Sequence, residues 1–196
     1  MSTILIFTAI ICVSHGYFHD LLPIPAFRAV LPYLAARIEQ VQNIVGRQLV
    51  LENISSYHRY AGEMPEAEFW GELLHLSGCG MLLDINNVYV NACNHGFDAF
   101  DYIRSIPSSS VVYYHIAGHL EYGEFRLDTH GMPVIEEVLA LAKQTVEFHG
   151  ARPLLLERDN NVPPLDALCA ELTQIREYLS QGSTHGDKYC STCIVS

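Results

Sequence analysis

The sequence predicts an α/β protein built on a parallel sheet, with one polar site at the C-terminal ends of its strands. Three observations carry that expectation. Short apolar runs alternate with helix-length amphipathic segments, the pattern of repeated βα units. The runs are apolar at successive positions, as strands covered on both faces are. Four of them end abruptly in residues that bind metals or exchange protons: Leu49-Val50-Leu51 in Glu52-Asn53, Met81-Leu82-Leu83 in Asp84, Val111-Val112-Tyr113-Tyr114 in His115, and Leu154-Leu155-Leu156 in Glu157-Arg158-Asp159. Active sites of (β/α) barrels sit at that end of the strands. About five strands can be counted where a barrel has eight. The expected architecture over residues 1–180 is therefore a partial TIM barrel with about five of eight βα units.

Taken in order, residues 3–13 read as a first strand, and Gly16 to Pro25 as a loop. From Ala26 to Val45 apolar residues recur at helical spacing until Gly46; Pro32 implies a helix kinked there or beginning near it. Gln48 to Glu52 is the next strand and Ile54 to Met64 a loop. Pro65 suits a helix start, with Glu66 and Glu68 where the helix dipole favours acids. Gly80 to Asp84 is the central strand, and its asparagine-rich continuation to Gly96 reads as a loop. Asp98 caps a short helix to Ser105. The strand Val111 to Ile116 leads into a second long loop, Ala117 to Met132. A helix from Pro133 to Phe148, a strand from Arg152 to Glu157 and a helix from Pro164 to Leu179 follow. Residues 181–196 have no apolar period and are expected to be a disordered tail.

Composition narrows the function classes. The 196 residues carry 22 acidic against 11 basic side chains, a net charge of −11, which disfavours a broad phosphate-binding surface and hence a nucleic-acid partner. Six cysteines, Cys12, Cys79, Cys93, Cys169, Cys190 and Cys193, are too scattered for a disulfide scaffold. The lone Cys190-x-x-Cys193 pair and the terminal Cys-Ile-Val-Ser are weak patterns. The apolar run from Ile4 to Val13 lacks a basic flank and a cleavage site, and is too short to span a bilayer. A cytoplasmic protein with no membrane partner is expected.

The candidate site comprises Glu52, Asp84, Asn87, His115, Asp128, His130 and Glu157. Carboxylates, imidazoles and an amide without cysteine suit iron, manganese or catalytic zinc better than a structural zinc. Asp128-x-His130 and Asp84-x-x-Asn87 each offer two ligands from one short segment, and several carboxylates allow bridging between ions. Singly, each residue has an ordinary alternative: an acid after a strand can be a helix N-cap, and asparagines form turns. Four ligand-type strand ends in succession favour the shared site.

The quoted segments also resemble one family. Leu51-Glu52-Asn53, Gly78 to Val90 with its Leu-Leu-Asp-Ile-Asn-Asn-Val-Tyr-Val, His115-Ile116-Ala117-Gly118-His119, Asp128-Thr129-His130 and Leu156-Glu157-Arg158-Asp159 are similar to the multinuclear non-haem iron-dependent oxidative enzymes, which include the methanobactin-synthesis oxidase. The resemblance runs from about Tyr17 to Leu179. It implies a TIM barrel of the xylose-isomerase-like kind holding two or three irons through the seven residues above, with His119 just behind them. It further implies dioxygen-dependent oxidation of cysteine or other residues in a ribosomally made precursor peptide, brought by a peptide-delivering partner protein. Family members begin with about three further ligand-bearing strands, and Ser14-His15-Gly16 stands where the family has Ser-Glu-His. The chain is thus expected to be truncated, and its competence as an enzyme is left open. The alternatives are a metal-dependent sugar isomerase or hydrolase on the same barrel, and a non-catalytic remnant.

Overall fold

Parallel strands need helical crossovers, and the chain supplies them in sequence. The computed structural model describes residues 23–181, with the backbone of three two-residue strands before them: β1 (Thr3–Ile4), β2 (Cys12–Val13) and β3 (Gly16–Tyr17). A 3-10 turn (Arg28–Val30) leads into α1 (Leu31–Val45), followed by β4 (Leu49–Glu52), α2 (Glu66–Ser77), β5 (Gly80–Asp84), α3 (Ile85–His95), α4 (Ala99–Ser105) and β6 (Val111–Ile116). Then come β7 (Gly118–Tyr122), β8 (Phe125–Met132), α5 (Glu136–His149), β9 (Leu154–Leu156) and α6 (Leu165–Ser180). Pro32 lies in the first turn of α1, so the helix begins there and has no interior kink.

The main sheet has five parallel strands in the order β1-β4-β5-β6-β9. Its two edges are β1 and β9, so among the described residues the sheet is open, as a partial TIM-barrel-like α/β fold requires. Leu49, Leu51, Met81, Leu83, Tyr114, Ile116, Leu154 and Leu156 pack with the apolar faces of the helices into one core. The alternate strand positions, which include Glu52, Asp84 and His115, face the other way. No helix among the described residues is long and apolar enough to cross a membrane. The C-terminal segment expected to be disordered lies, from residue 182 on, outside the described residues.

One irregularity sets the register of the site. Met81 pairs with Val111 but Leu82 with Tyr113, so β6 carries an extra residue at Val112. Unshifted pairing would put Asp84 opposite Tyr114, whose side chain faces the helices; the bulge puts it opposite His115. Gly80 makes room for it, since a Cβ there would lie 2.6 Å from Val112 Cγ2.

Two expected loops are ordered elements. The asparagine-rich stretch after Asp84 is the helix α3, because Asp84 Oδ1 accepts the Asn87 N–H at 2.7 Å and caps it. Its asparagines bond to other segments instead of forming turns: buried Asn91 Nδ2 donates to Ile54 O and half-buried Asn94 Nδ2 to Arg126 O. The stretch after Ala117 is an antiparallel hairpin, β7–β8, turning at Gly123. Gly118 permits it, for a Cβ at that position would stand 2.0 Å from Met132 O.

Candidate metal centre

Glu52, Asp84, His115 and Glu157 lie at or just beyond the C-terminal ends of four adjacent strands, and the fold brings them together. One ligand atom from each lies within 4.8 Å of all the others. His115 Nδ1 is 2.9 Å from Glu52 Oε1, 3.0 Å from Glu157 Oε2 and 3.9 Å from Asp84 Oδ2. A second group, His130, Glu157 and Asp159, meets the same criterion and shares Glu157 with the first. His130 Nδ1 lies 3.3 Å from both Glu157 Oε2 and Asp159 Oδ2.

These contacts are close, yet they are not hydrogen bonds. Asp84 Oδ2, His115 Nδ1, His130 Nδ1 and Nε2 and Glu157 Oε2 are all buried without a directional partner. A buried polar atom left so costs roughly 1–3 kcal/mol, and several pointing at one another would be an expensive arrangement for a purely structural cluster. Lone pairs converging on common points are what a cation requires. The donor set, carboxylate oxygens with imidazole nitrogens and no thiolate, fits a borderline divalent ion such as iron. Glu157 is common to both groups.

Electrostatics show the same tension in the absence of a cation. Burial, with Glu52 beside it, pushes the Asp84 carboxyl up to about 7. For His115, burial lowers the pKa but the Glu157, Glu52 and Asp84 carboxylates outweigh it and raise it to about 10. His130 behaves likewise, reaching about 11 against burial under the pull of Asp128, Glu157 and Asp84. Burial opposes ionisation of Glu157, but the two histidines hold its carboxyl far below the usual range. Protons on the imidazoles stand in for metal charge.

The remaining expected residues surround these two groups. Asp128 belongs to neither. Its Oδ1 lies 2.6 Å from His130 Nε2 and accepts from Asn86 Nδ2 at 2.9 Å, and its Oδ2 accepts from Ser55 Oγ at 2.8 Å. Asn87 donates through Nδ2 to Asn53 O at 3.0 Å, leaving its buried Oδ1 without a partner beside the capped Asp84. His119 Nδ1 contacts Asn86 Oδ1 at 2.8 Å. Asn86 already donates to Asp128, so its oxygen is the acceptor and His119 carries its proton on Nδ1. Burial lowers the His119 pKa, which keeps the ring neutral. His130 adopts φ 45°, a left-handed conformation costly for a residue with a Cβ, and strain of that kind collects at functional sites.

Two residues were missed as members of the site. Asp159 follows Glu157 at the spacing that returns a side chain to the same face of an extended chain, a signal present in the sequence. Asn53 is the other: its amide accepts from Asp84 N and donates to Asp84 O, both at 2.9 Å, extending the β4–β5 pairing through a side chain.

A parallel βα sheet whose strand ends gather buried carboxylates and histidines defines a TIM-barrel-like protein with a cluster able to bind metal. The chain belongs to the family described as RiPP precursor modification enzyme MbnB/TglH/ChrH, which matches residues 8–180. It is 46% identical over 167 residues to a UPF0276 protein of Pseudomonas aeruginosa, covering 85% of this chain and 59% of that protein. A UPF0276 protein of Shewanella sediminis is 43% identical, covering 85% of this chain and 60% of the relative; one of Acinetobacter baylyi is 44% identical, covering 88% and 61%. The chain therefore spans about three fifths of the length of these curated relatives.

Proposed function

We propose that this chain forms the metal-binding part of an iron-dependent oxidase that modifies cysteine, or another residue, of a ribosomally made peptide using dioxygen. The observation that carries the reading is a buried ligand group joined through Glu157 to a second, partly exposed one, in a chain of the peptide-modifying family. Iron held there would supply affinity for a substrate thiolate and a source of electrons for dioxygen.

The rest is the work of the chain's own residues. Glu52, Asp84, His115 and Glu157 would hold one ion, and His130, Glu157 and Asp159 the second, with Asn87 Oδ1 and Asp128 beside them. Four of these side chains leave the ends of sheet strands, so their separation is set by the backbone ladder and cannot relax. At the first group burial keeps water from competing for the ion and strengthens each charge interaction, while the second opens to solvent at Asp159. Ser55 and Asn86 occupy both Asp128 oxygens and so fix that carboxylate beside His130 Nε2. A partner protein that delivers the precursor peptide belongs to this proposal.

The test uses the full chain prepared without oxygen. Elemental analysis should find iron, and a cysteine-bearing peptide should start dioxygen uptake. Protein holding zinc alone, inert to peptide and dioxygen after reloading with ferrous iron, would refute the reading.

A further inference from the structure

Between the candidate ligands Glu157 and Asp159 stands a residue of opposite charge and opposite orientation. Arg158 is only 6% exposed and lies on the side of the chain that Leu154 and Leu156 present to the helices. Burying a guanidinium costs several kcal/mol unless it is paired. Its partner is Glu171 on α6, with Arg158 Nη2 donating to Glu171 Oε2 at 2.6 Å. The other oxygen of that carboxylate, Oε1, accepts the backbone N–H of Val134 at 2.9 Å. Val134 lies just beyond β8, the strand bearing Asp128 and His130. A further tie joins the two segments, as the Asp159 N–H donates to His130 O at 3.1 Å. One carboxylate on α6 thus anchors both segments that build the second metal group.

We infer that Arg158 and Glu171 are positioning residues for the group formed by His130, Glu157 and Asp159. The inference rests on the metal-binding reading above. Neither residue offers an atom to either group. In an extended chain successive side chains point to opposite sides, so pinning Arg158 outward fixes Glu157 and Asp159 inward. Holding Val134 at the same time fixes where β8 presents His130. A buried ion pair is seldom retained for stability, since apolar residues of similar volume do as well or better. What the pair provides here is direction: were Arg158 free to turn, both neighbouring carboxylates would turn with it.

The test is a Co²⁺ titration of the full chain, followed by visible absorption, for wild type, Glu171→Gln and Asp159→Asn. Asp159→Asn identifies which phase belongs to the second group. Glu171→Gln keeps shape and an oxygen for Val134 but removes the charge that pins Arg158. It should weaken Co²⁺ at the second group by about 10- to 100-fold, the usual effect of removing a residue that orients ligands, and weaken the first group much less. Its absorption bands for the second group should also shift. Wild-type affinities and bands at both groups, with only a lowered melting temperature, would show the pair to be structural and overturn the inference. Equal weakening of both groups would overturn it too. If Glu171→Gln does not fold, Arg158→Lys, which keeps the charge but loses the guanidinium fork, is judged by the same comparison. Wild type that takes up no Co²⁺ would overturn the metal-binding reading and this inference with it, whereas two Co²⁺ phases, one of them lost in Asp159→Asn but both unaffected by Glu171→Gln, would overturn this inference alone.

Discussion

Replacing Asp84 by asparagine should remove metal and yet stabilise the metal-free protein. Asp84 is completely buried, and burial together with Glu52 raises its carboxyl from 3.8 to about 7. That displacement corresponds to about 4 kcal/mol of destabilisation once the group is ionised above neutral pH. The sign follows from the direction: the penalty is absent below the unfolded-state value near 4, grows as pH rises towards 7, and is constant above it. Asparagine is neutral, and its side-chain oxygen can still accept the Asn87 N–H that Asp84 Oδ1 caps. Against the gain, His115 and His130 lose one of the carboxylates that stabilise their charge. A net gain of about 2 kcal/mol at pH 8 remains, roughly 4–8 °C in melting temperature for a chain of this size. Chelator-treated Asp84→Asn and wild type, melted at pH 4.5, 6 and 8, should diverge progressively, while elemental analysis shows the variant depleted of metal. A variant that melts lower than wild type at pH 8 and keeps full metal content would refute the reasoning, because Asp84 would then be structural.

Further outcomes follow from the same geometry. With His115 raised to about 10 and His130 to about 11, both imidazoles are protonated in the metal-free protein at pH 8, so metal uptake should release protons, measurable in a pH-stat. The stability these raised values confer is fully present below about 6.5 and is lost as pH rises through 10 to 11. Metal-free protein should therefore melt progressively lower over that window, while metal-loaded protein holds; a flat metal-free profile would count against the assignment. Gly118→Ala should destabilise by at least about 3 kcal/mol, because its Cβ would fall on the Met132 and Pro133 carbonyl oxygens, which are backbone and cannot swing aside. Urea denaturation showing a loss under 1 kcal/mol would contradict that close approach. Asp159→Asn should lower metal stoichiometry with little change in melting temperature, since this side chain is largely exposed; unchanged stoichiometry would remove Asp159 from the site.

The strand ends were legible because four apolar runs in succession change abruptly to ligand-type residues. Leu82-Leu83-Asp84 and Leu155-Leu156-Glu157 show the change of environment directly, and a period of one polar residue per strand end needs no tertiary knowledge. Helix boundaries were legible where a chain terminator marks them, as at Gly46 and Gly78, both at positive φ. What escaped was long-range. The asparagines of α3 carry loop propensity, which the Asp84 cap and the partners they find at Ile54, Asn53 and Arg126 together override. The hairpin β7–β8 is short of β-branched residues and is held by the close approach at Gly118, which no local pattern announces.

The bulge at Val112 carries the same lesson one step further. In a ladder read without it, Asp84 and His115 do not stand opposite each other; the extra residue brings the histidine into line with the carboxylate. The Leu-Leu-Asp and Tyr-Tyr-His strand ends identify which residues can bind a metal. Whether they meet depends on a single backbone insertion, accommodated by the missing side chain of Gly80 on the neighbouring strand. Gly80 and Val112 are therefore as much a part of the candidate metal site as the residues that could bind the ion, although neither offers an atom to it.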